Sequence, residues 1–161
     1  MAQNPRMKKE MGLALGKTVV FGVVATLLSG AARAGETPPQ SKSGMFAVGQ
    51  TMSECAAFFE VLASLPVAQN TPNTVELANN KARGWKMAAV FWLLSGSSGD
   101  AQYHVVETAE ALTDAKKTEH LSRIEALGGQ GFVDIRKEFD AKCAPLVSLQ
   151  ERTIQTLRSG N

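Results

Sequence analysis

The chain has 161 residues, of which 17 are Lys or Arg, 15 are Asp or Glu, two are His and two are Cys, giving a formal net charge of +2. A chain of this length suits one domain with a single hydrophobic core. Beyond the first 34 residues no stripe of clustered basic residues is present for phosphate contacts, so we exclude nucleic acid as a partner.

Residues 1–34 are typical of a cleavable secretory signal. Basic residues between positions 6 and 17 precede the apolar run from Val19 to Leu28, and Ala32-Arg33-Ala34 has the small-x-small pattern of a cleavage site after Ala34. The apolar run is about half of the roughly 20 residues that a membrane span requires, so we do not expect a permanent anchor. The sequence therefore predicts export to the periplasm.

The predicted signal also accounts for the positive charge of the chain. It holds five of the 17 basic residues and one of the 15 acidic residues, which leaves 12 basic and 14 acidic residues after cleavage. The mature chain then has a net charge of −2. This balance strengthens the exclusion of a nucleic acid partner.

After the signal, residues 35–50 contain a Pro-Pro pair and several Ser and Gly, which predicts a flexible leader. A helical domain is expected to follow over residues 51–161. Thr51-Met52-Ser53-Glu54 fits a capping box and predicts that the first helix begins at Thr51 and ends before Pro66. Four apolar residues at helical spacing mark its inner face: Met52, Cys55, Phe59 and Leu62.

The second predicted helix begins near Pro72 and ends at the Ser95–Gly99 turn. Its stretch Gly84–Leu94 is apolar almost all round, so we expect it to be buried and the other helices to be arranged around it. Gly84 is expected to permit a close backbone contact. Small residues alternate with tryptophans along the predicted seam: Ala78, Ala82, Trp85, Ala89 and Trp92.

Two more helices complete the predicted fold. The third runs from Asp100 to Leu127, with a polar middle from Thr113 to Glu119 that would suit a kink. The fourth starts near Gly131 and is broken at Pro145. Its apolar face consists of Phe132, Ile135, Phe139, Cys143 and Leu146. The sequence therefore predicts an all-α fold, a four-helix up-and-down bundle with a kinked or broken fourth helix.

The two cysteines, Cys55 and Cys143, are predicted to form an inter-helix disulfide. In an up-and-down bundle the first and fourth helices are antiparallel, so the start of one meets the end of the other. Two free buried thiols are the alternative.

This topology leaves the segment from Leu146 to Leu157 projecting beyond the first helix. Cover could come from the segment Met45–Val48, from a second copy or from a partner protein. We therefore predict an interaction surface formed by Leu149, Ile154 and Leu157.

No catalytic, metal or cofactor site can be assembled from the sequence. The two histidines, His104 and His120, are 16 residues apart, and on a straight helix they face different directions. Both are predicted to be surface residues, and neither has the further ligands that a metal site needs. Covalent haem attachment would need Cys-x-x-Cys-His, which is absent. No enzyme is predicted.

The function expected from these observations is that of a periplasmic interaction or accessory protein without catalytic activity, with a protein partner or a second copy as its target. The alternative is a carrier or sensor for a small apolar ligand. That ligand would be held between helices near Trp85 and Trp92.

Overall fold

The computed structural model describes residues 38–66 and 72–160, so the predicted signal and the first residues of the predicted leader lie outside the described residues. The described chain forms five α-helices and no strand: α1 Lys42–Ser64, α2 Pro72–Gly96, α3 Val105–Leu127, α4 Gly129–Lys142 and α5 Val147–Ser159. Short 3-10 helices at Gly99–His104 and Ala144–Leu146 lead into α3 and α5. The predicted all-α bundle is confirmed, and the chain beyond Pro145 forms a separate helix, α5.

The most enclosed element of the bundle is α1. From Met52 to Ala63 every residue is buried except two glutamates, because α2, α3 and α4 all pack on this helix. The expectation that the stretch Gly84–Leu94 forms the buried centre is only partly right. Within that stretch, Met87 and Leu94 are about half exposed. None of the described helices is long and apolar enough to cross a membrane.

The predicted start of the first helix at Thr51 is wrong. The helix begins nine residues earlier, at Lys42, where the Ser41 hydroxyl caps it by accepting a hydrogen bond from the Gly44 amide at 3.1 Å. The Thr51 hydroxyl donates to the Ala47 carbonyl within the helix, a common arrangement for Ser and Thr in helix interiors. Residues 42–50 of the predicted leader are therefore helical, and three of them pack against the core: Met45, Phe46 and Val48.

Two glycines allow the backbones of α1 and α2 to approach closely. A Cβ atom at Gly49 would lie 2.7 Å from the backbone nitrogen of Leu93, and one at Gly96 would meet the backbone of Phe46. The close backbone contact predicted at Gly84 is not found, because a Cβ there would meet only a side-chain amide of α5. The tight helix pair is thus set by Gly49 and Gly96.

We expect Gly49→Ala to lower the free energy of unfolding by about 1–3 kcal/mol, since the added methyl group forces two backbones apart. Gly129→Ala is the matched control, because a Cβ at Gly129 meets no atom within 4 Å. That variant should change stability by less than about 0.5 kcal/mol. Urea unfolding followed by circular dichroism measures both, and equal stabilities of the two variants would contradict the tight contact.

The polar middle of α3 does not break the helix. Thr113 is fully buried, and its hydroxyl lies 3.1 Å from the Ser53 carbonyl of α1 and 2.8 Å from the Ala109 carbonyl. The buried face of α3 therefore continues through polar side chains. It consists of Val105, Ala109, Thr113 and His120.

The predicted disulfide is confirmed. Cys55 in the middle of α1 is bonded to Cys143, the residue that follows α4, and the two Cα atoms are 5.7 Å apart. The rings of Phe58 and Phe139 stack beside it with their centroids 4.5 Å apart. After the disulfide, Pro145 lies in the short 3-10 helix where the fourth helix breaks.

Candidate functional site

The two tryptophans proposed as a ligand pocket lie in the packed core. Trp85 is 2% exposed and contacts the Phe139 ring edge-on, with the centroids 6.3 Å apart. The Trp92 indole donates a hydrogen bond to the Thr153 hydroxyl at 3.1 Å. Neither ring lines the surface grooves described below. The position of Trp85 is explained by packing, and that of Trp92 by packing and a hydrogen bond.

The predicted interaction surface on α5 needs correction. Leu149 and Ile154 are buried, and of the three leucine and isoleucine residues in that prediction only Leu157 is substantially exposed. The reason is that α5 packs on α2, where Thr153 meets Trp92, and that α1 begins at Lys42 and so extends further than expected. The expected overhang is thus covered by the chain itself.

An apolar stripe is exposed on the outer face of α2 instead. Met87 is 50% exposed and Leu94 is 44% exposed, with the half-buried Val90 and Phe91 between them. The spacing of three or four residues places these side chains on one face over about two helical turns. We call these four residues the α2 stripe. Toward the start of α2 the same face is polar and exposed, with Glu76, Asn80 and Arg83.

A second feature is an ion-pair network between α3 and α4 centred on Glu138. Its carboxylate accepts from Lys116 at 2.7 Å, from Lys142 at 3.1 Å and from Arg123 at 3.1 Å. Burial opposes ionisation of Glu138, but these three hydrogen bonds outweigh it and lower its pKa to about 2. Lys116 and Arg123 also bind Glu119. The network therefore ties the second half of α3 to the last turns of α4.

His120 lies against this network and is 3% exposed, so the prediction of a surface histidine is wrong. It is seven residues after Thr113 and continues the buried face of α3. Its Nδ1 atom is buried with no hydrogen-bond partner among the described residues. Burial, reinforced by the charge of Lys116, lowers the pKa of His120 to about 4. The imidazole is therefore neutral at pH 7. His104, in contrast, is exposed as predicted.

Possible ligand atoms of Glu119, His120 and Glu138 lie within 4.8 Å of one another, a separation that would suit a metal ion. Both carboxylates, however, already accept hydrogen bonds from Lys116 and Arg123. A metal ion would have to displace these cations and then remain beside them. The arrangement is better explained as an ion-pair network than as a metal centre.

An apolar groove of about 610 Å³ lies between the first half of α1 and the junction of α4 with α5. Its floor includes Val48, Leu146 and Leu149, and the Glu54 carboxylate and the Lys142 ammonium lie at its edge, 3.7 Å apart. Nothing in the described chain shows what would cover this groove, and we assign no ligand to it.

These features define an all-α, disulfide-linked bundle whose accessible features are an apolar stripe and surface grooves. The chain matches no known protein family, and no characterised protein or solved structure is similar to it. Functional argument therefore has to begin from the residues themselves.

Proposed function

We propose that this protein is an exported, non-enzymatic interaction protein whose docking face is the α2 stripe. The observation that carries the proposal is the exposure of Met87 and Leu94 on a helix whose opposite face forms part of the core. Contiguous apolar side chains on a surface are typical of binding sites for proteins. Export is supported by the signal-like residues 1–34 and by a disulfide, which persists in an oxidising compartment.

A second copy of this chain is the occupant that the stripe fits best. The stripe is nearly symmetric about Val90 and Phe91, with one long apolar side chain at each end. In an antiparallel pair of α2 helices, a two-fold axis through its centre places Met87 of one copy against Leu94 of the other. Such a self-complementary patch is what an isologous dimer requires.

The size of the stripe sets the strength of this dimer. Two helical turns extend over only about 10 Å, whereas stable interfaces bury roughly 1,200–2,000 Å² in total. We therefore expect weak self-association, with a dissociation constant of about 10 μM to 1 mM.

Sedimentation equilibrium over a range of protein concentrations tests the proposal. The double substitution Met87→Gln and Leu94→Gln should weaken self-association about tenfold or more, because it removes the apolar contact at both ends of the stripe. Leu127→Gln is the control, since Leu127 is 54% exposed at the end of α3, away from the stripe. This control should self-associate like the wild type.

Cross-linking tests the geometry independently. Val90→Cys should give a disulfide-linked dimer on mild oxidation, because the two copies of that residue meet near the axis. Asn80→Cys should not, since Asn80 lies on the same helix about 15 Å away. A wild-type protein that stays monomeric at all concentrations, or equal cross-linking by the two variants, would overturn the proposed dimer.

A further inference from the structure

A second groove, of about 500 Å³, lies between the end of α1, the first half of α2 and the middle of α3. It is separate from the α2 stripe and was not anticipated from the sequence. Its floor is formed by small or half-buried apolar side chains, Ala63, Ala82 and Val75. The remaining lining residues are polar or charged: Glu60, Ser64, Asn79, Arg83, Lys86 and Lys117.

One carboxylate holds two ammonium groups in this groove. Glu60 of α1 contacts Lys86 of α2 through Oε1 at 2.5 Å and Lys117 of α3 through Oε2 at 3.1 Å. Burial opposes ionisation of Glu60, but the hydrogen bonds from both lysines outweigh it and lower its pKa. The two cations therefore come from different helices and are fixed at a common point.

The groove nevertheless carries more positive than negative charge. Glu60 supplies one negative charge, whereas Arg83, Lys86 and Lys117 supply three positive charges, a surplus of two. Arg83 is exposed and has no ion-pair partner among the described residues. Asn79, one turn before Arg83, adds an amide that can donate hydrogen bonds. A ligand of charge −2 would neutralise the surplus.

We propose that this groove binds a small organic dianion with a short apolar body, such as a C4 dicarboxylate. One anionic group would be held by Arg83 and Asn79, and the other by the two lysines beside Glu60. The methylene groups would lie on the floor formed by Ala63 and Ala82. A few polar groups around a partly apolar concave surface are the usual composition of a small-molecule site.

Titration of the ¹⁵N-labelled protein with succinate at constant ionic strength, followed by amide chemical shifts, tests this site. We expect saturable shifts concentrated around Glu60, Arg83 and Lys117. Inorganic phosphate and acetate are compared at the same concentrations. Acetate should bind more weakly than succinate, because it carries a single charge, and phosphate should bind more weakly because it lacks the apolar body.

Arg83→Gln should weaken succinate binding about tenfold, since it removes a charge-assisted contact without breaking an ion pair within the protein. Lys137→Gln is the matched control, because it also removes one positive charge, from an exposed side chain on α4 outside the groove. This control should bind like the wild type. Three results would overturn the proposal. The first is the absence of saturable chemical-shift changes at about 10 mM succinate, and the second is changes spread over the whole surface. The third is an equal loss of succinate affinity in both variants. Tighter binding of phosphate than of succinate would overturn the assignment of an organic dianion.

Discussion

Removing the disulfide should lower the free energy of unfolding by about 4–5 kcal/mol, the largest single effect that we expect in this protein. The bond links residues 88 positions apart, and a cross-link that closes a loop of this length restricts the unfolded chain strongly. Small domains are stable by only about 5–15 kcal/mol. The double variant Cys55→Ala, Cys143→Ala should therefore melt at least about 10 °C below the wild type.

Reduction provides the control for this experiment. Adding a reductant should lower the melting temperature of the wild type and leave that of the double variant unchanged. Both cysteines are buried, since Cys55 is 0% exposed and Cys143 is 5% exposed. Reduction should therefore require partial unfolding. A thiol that reacts in the unreduced wild type, or equal melting temperatures of the two proteins, would contradict the bond.

Acid should destabilise the fold in two steps, and the first step comes from His120. Its pKa is about 4 in the folded protein against a usual 6.5, so the unfolded chain binds the additional proton between these values. The stabilisation is complete above pH 6.5 and is lost as the pH falls to 4, with a total loss of about 3 kcal/mol. Glu138, whose pKa is lowered to about 2, adds a further loss between pH 4.5 and 2. This loss is about 2 kcal/mol, smaller than that of His120 for the same shift, because the Glu138 side chain is 20% exposed and solvent screens its ion pairs.

His120→Leu should remove the first step and retain the second. The buried Nδ1 atom has no partner among the described residues, so an apolar side chain of similar size leaves no broken hydrogen bond there. His104→Leu is the control for the substitution itself, because His104 is exposed and lies outside the buried face of α3. Chemical unfolding at intervals from pH 7 to pH 3 measures how the free energy of unfolding changes with pH. An unchanged slope in His120→Leu would assign the acid sensitivity to other groups.

Much of the bundle could be predicted because its strongest signals are local. Pro145 interrupts the interior of a helix whatever the surrounding elements are. The apolar face from Phe132 to Cys143 has an unambiguous helical spacing. The pair of cysteines then linked two elements that the topology had already placed side by side. Each of these inferences required information from only one helix or from one pair of cysteines.

The incorrect predictions concern residues whose surroundings come from other helices. Thr51 fits a helix cap when its sequence is considered in isolation. The observed cap, Ser41, precedes a segment whose apolar residues stabilise the helix only when α2 packs on them. His120 occupies a buried position that a search for apolar residues does not detect. α1 is enclosed because three helices pack on it, whereas α2 keeps one face in solvent.

The candidate sites were the least predictable part of the molecule. Leu149 and Ile154 were predicted to be exposed because the first helix was expected to begin at Thr51, whereas it begins at Lys42 and α5 packs on α2. The charged groove depends on Glu60, Lys86 and Lys117, which belong to three different helices. Their convergence is set by the rotation of each helix about its own axis, and periodicity within one helix does not determine that rotation.

The position of the break in the fourth helix leaves α5 outside the cross-linked part of the molecule, so we expect α5 to open without loss of the rest. The disulfide holds the end of α4, but α5 begins beyond Cys143 and is outside the closed loop. The Trp92 indole is bonded to Thr153 of α5, while the Trp85 ring lies against Phe139 of α4. The two native fluorophores therefore sense different events: Trp92 senses the release of α5 into solvent, and Trp85 senses loss of the cross-linked core.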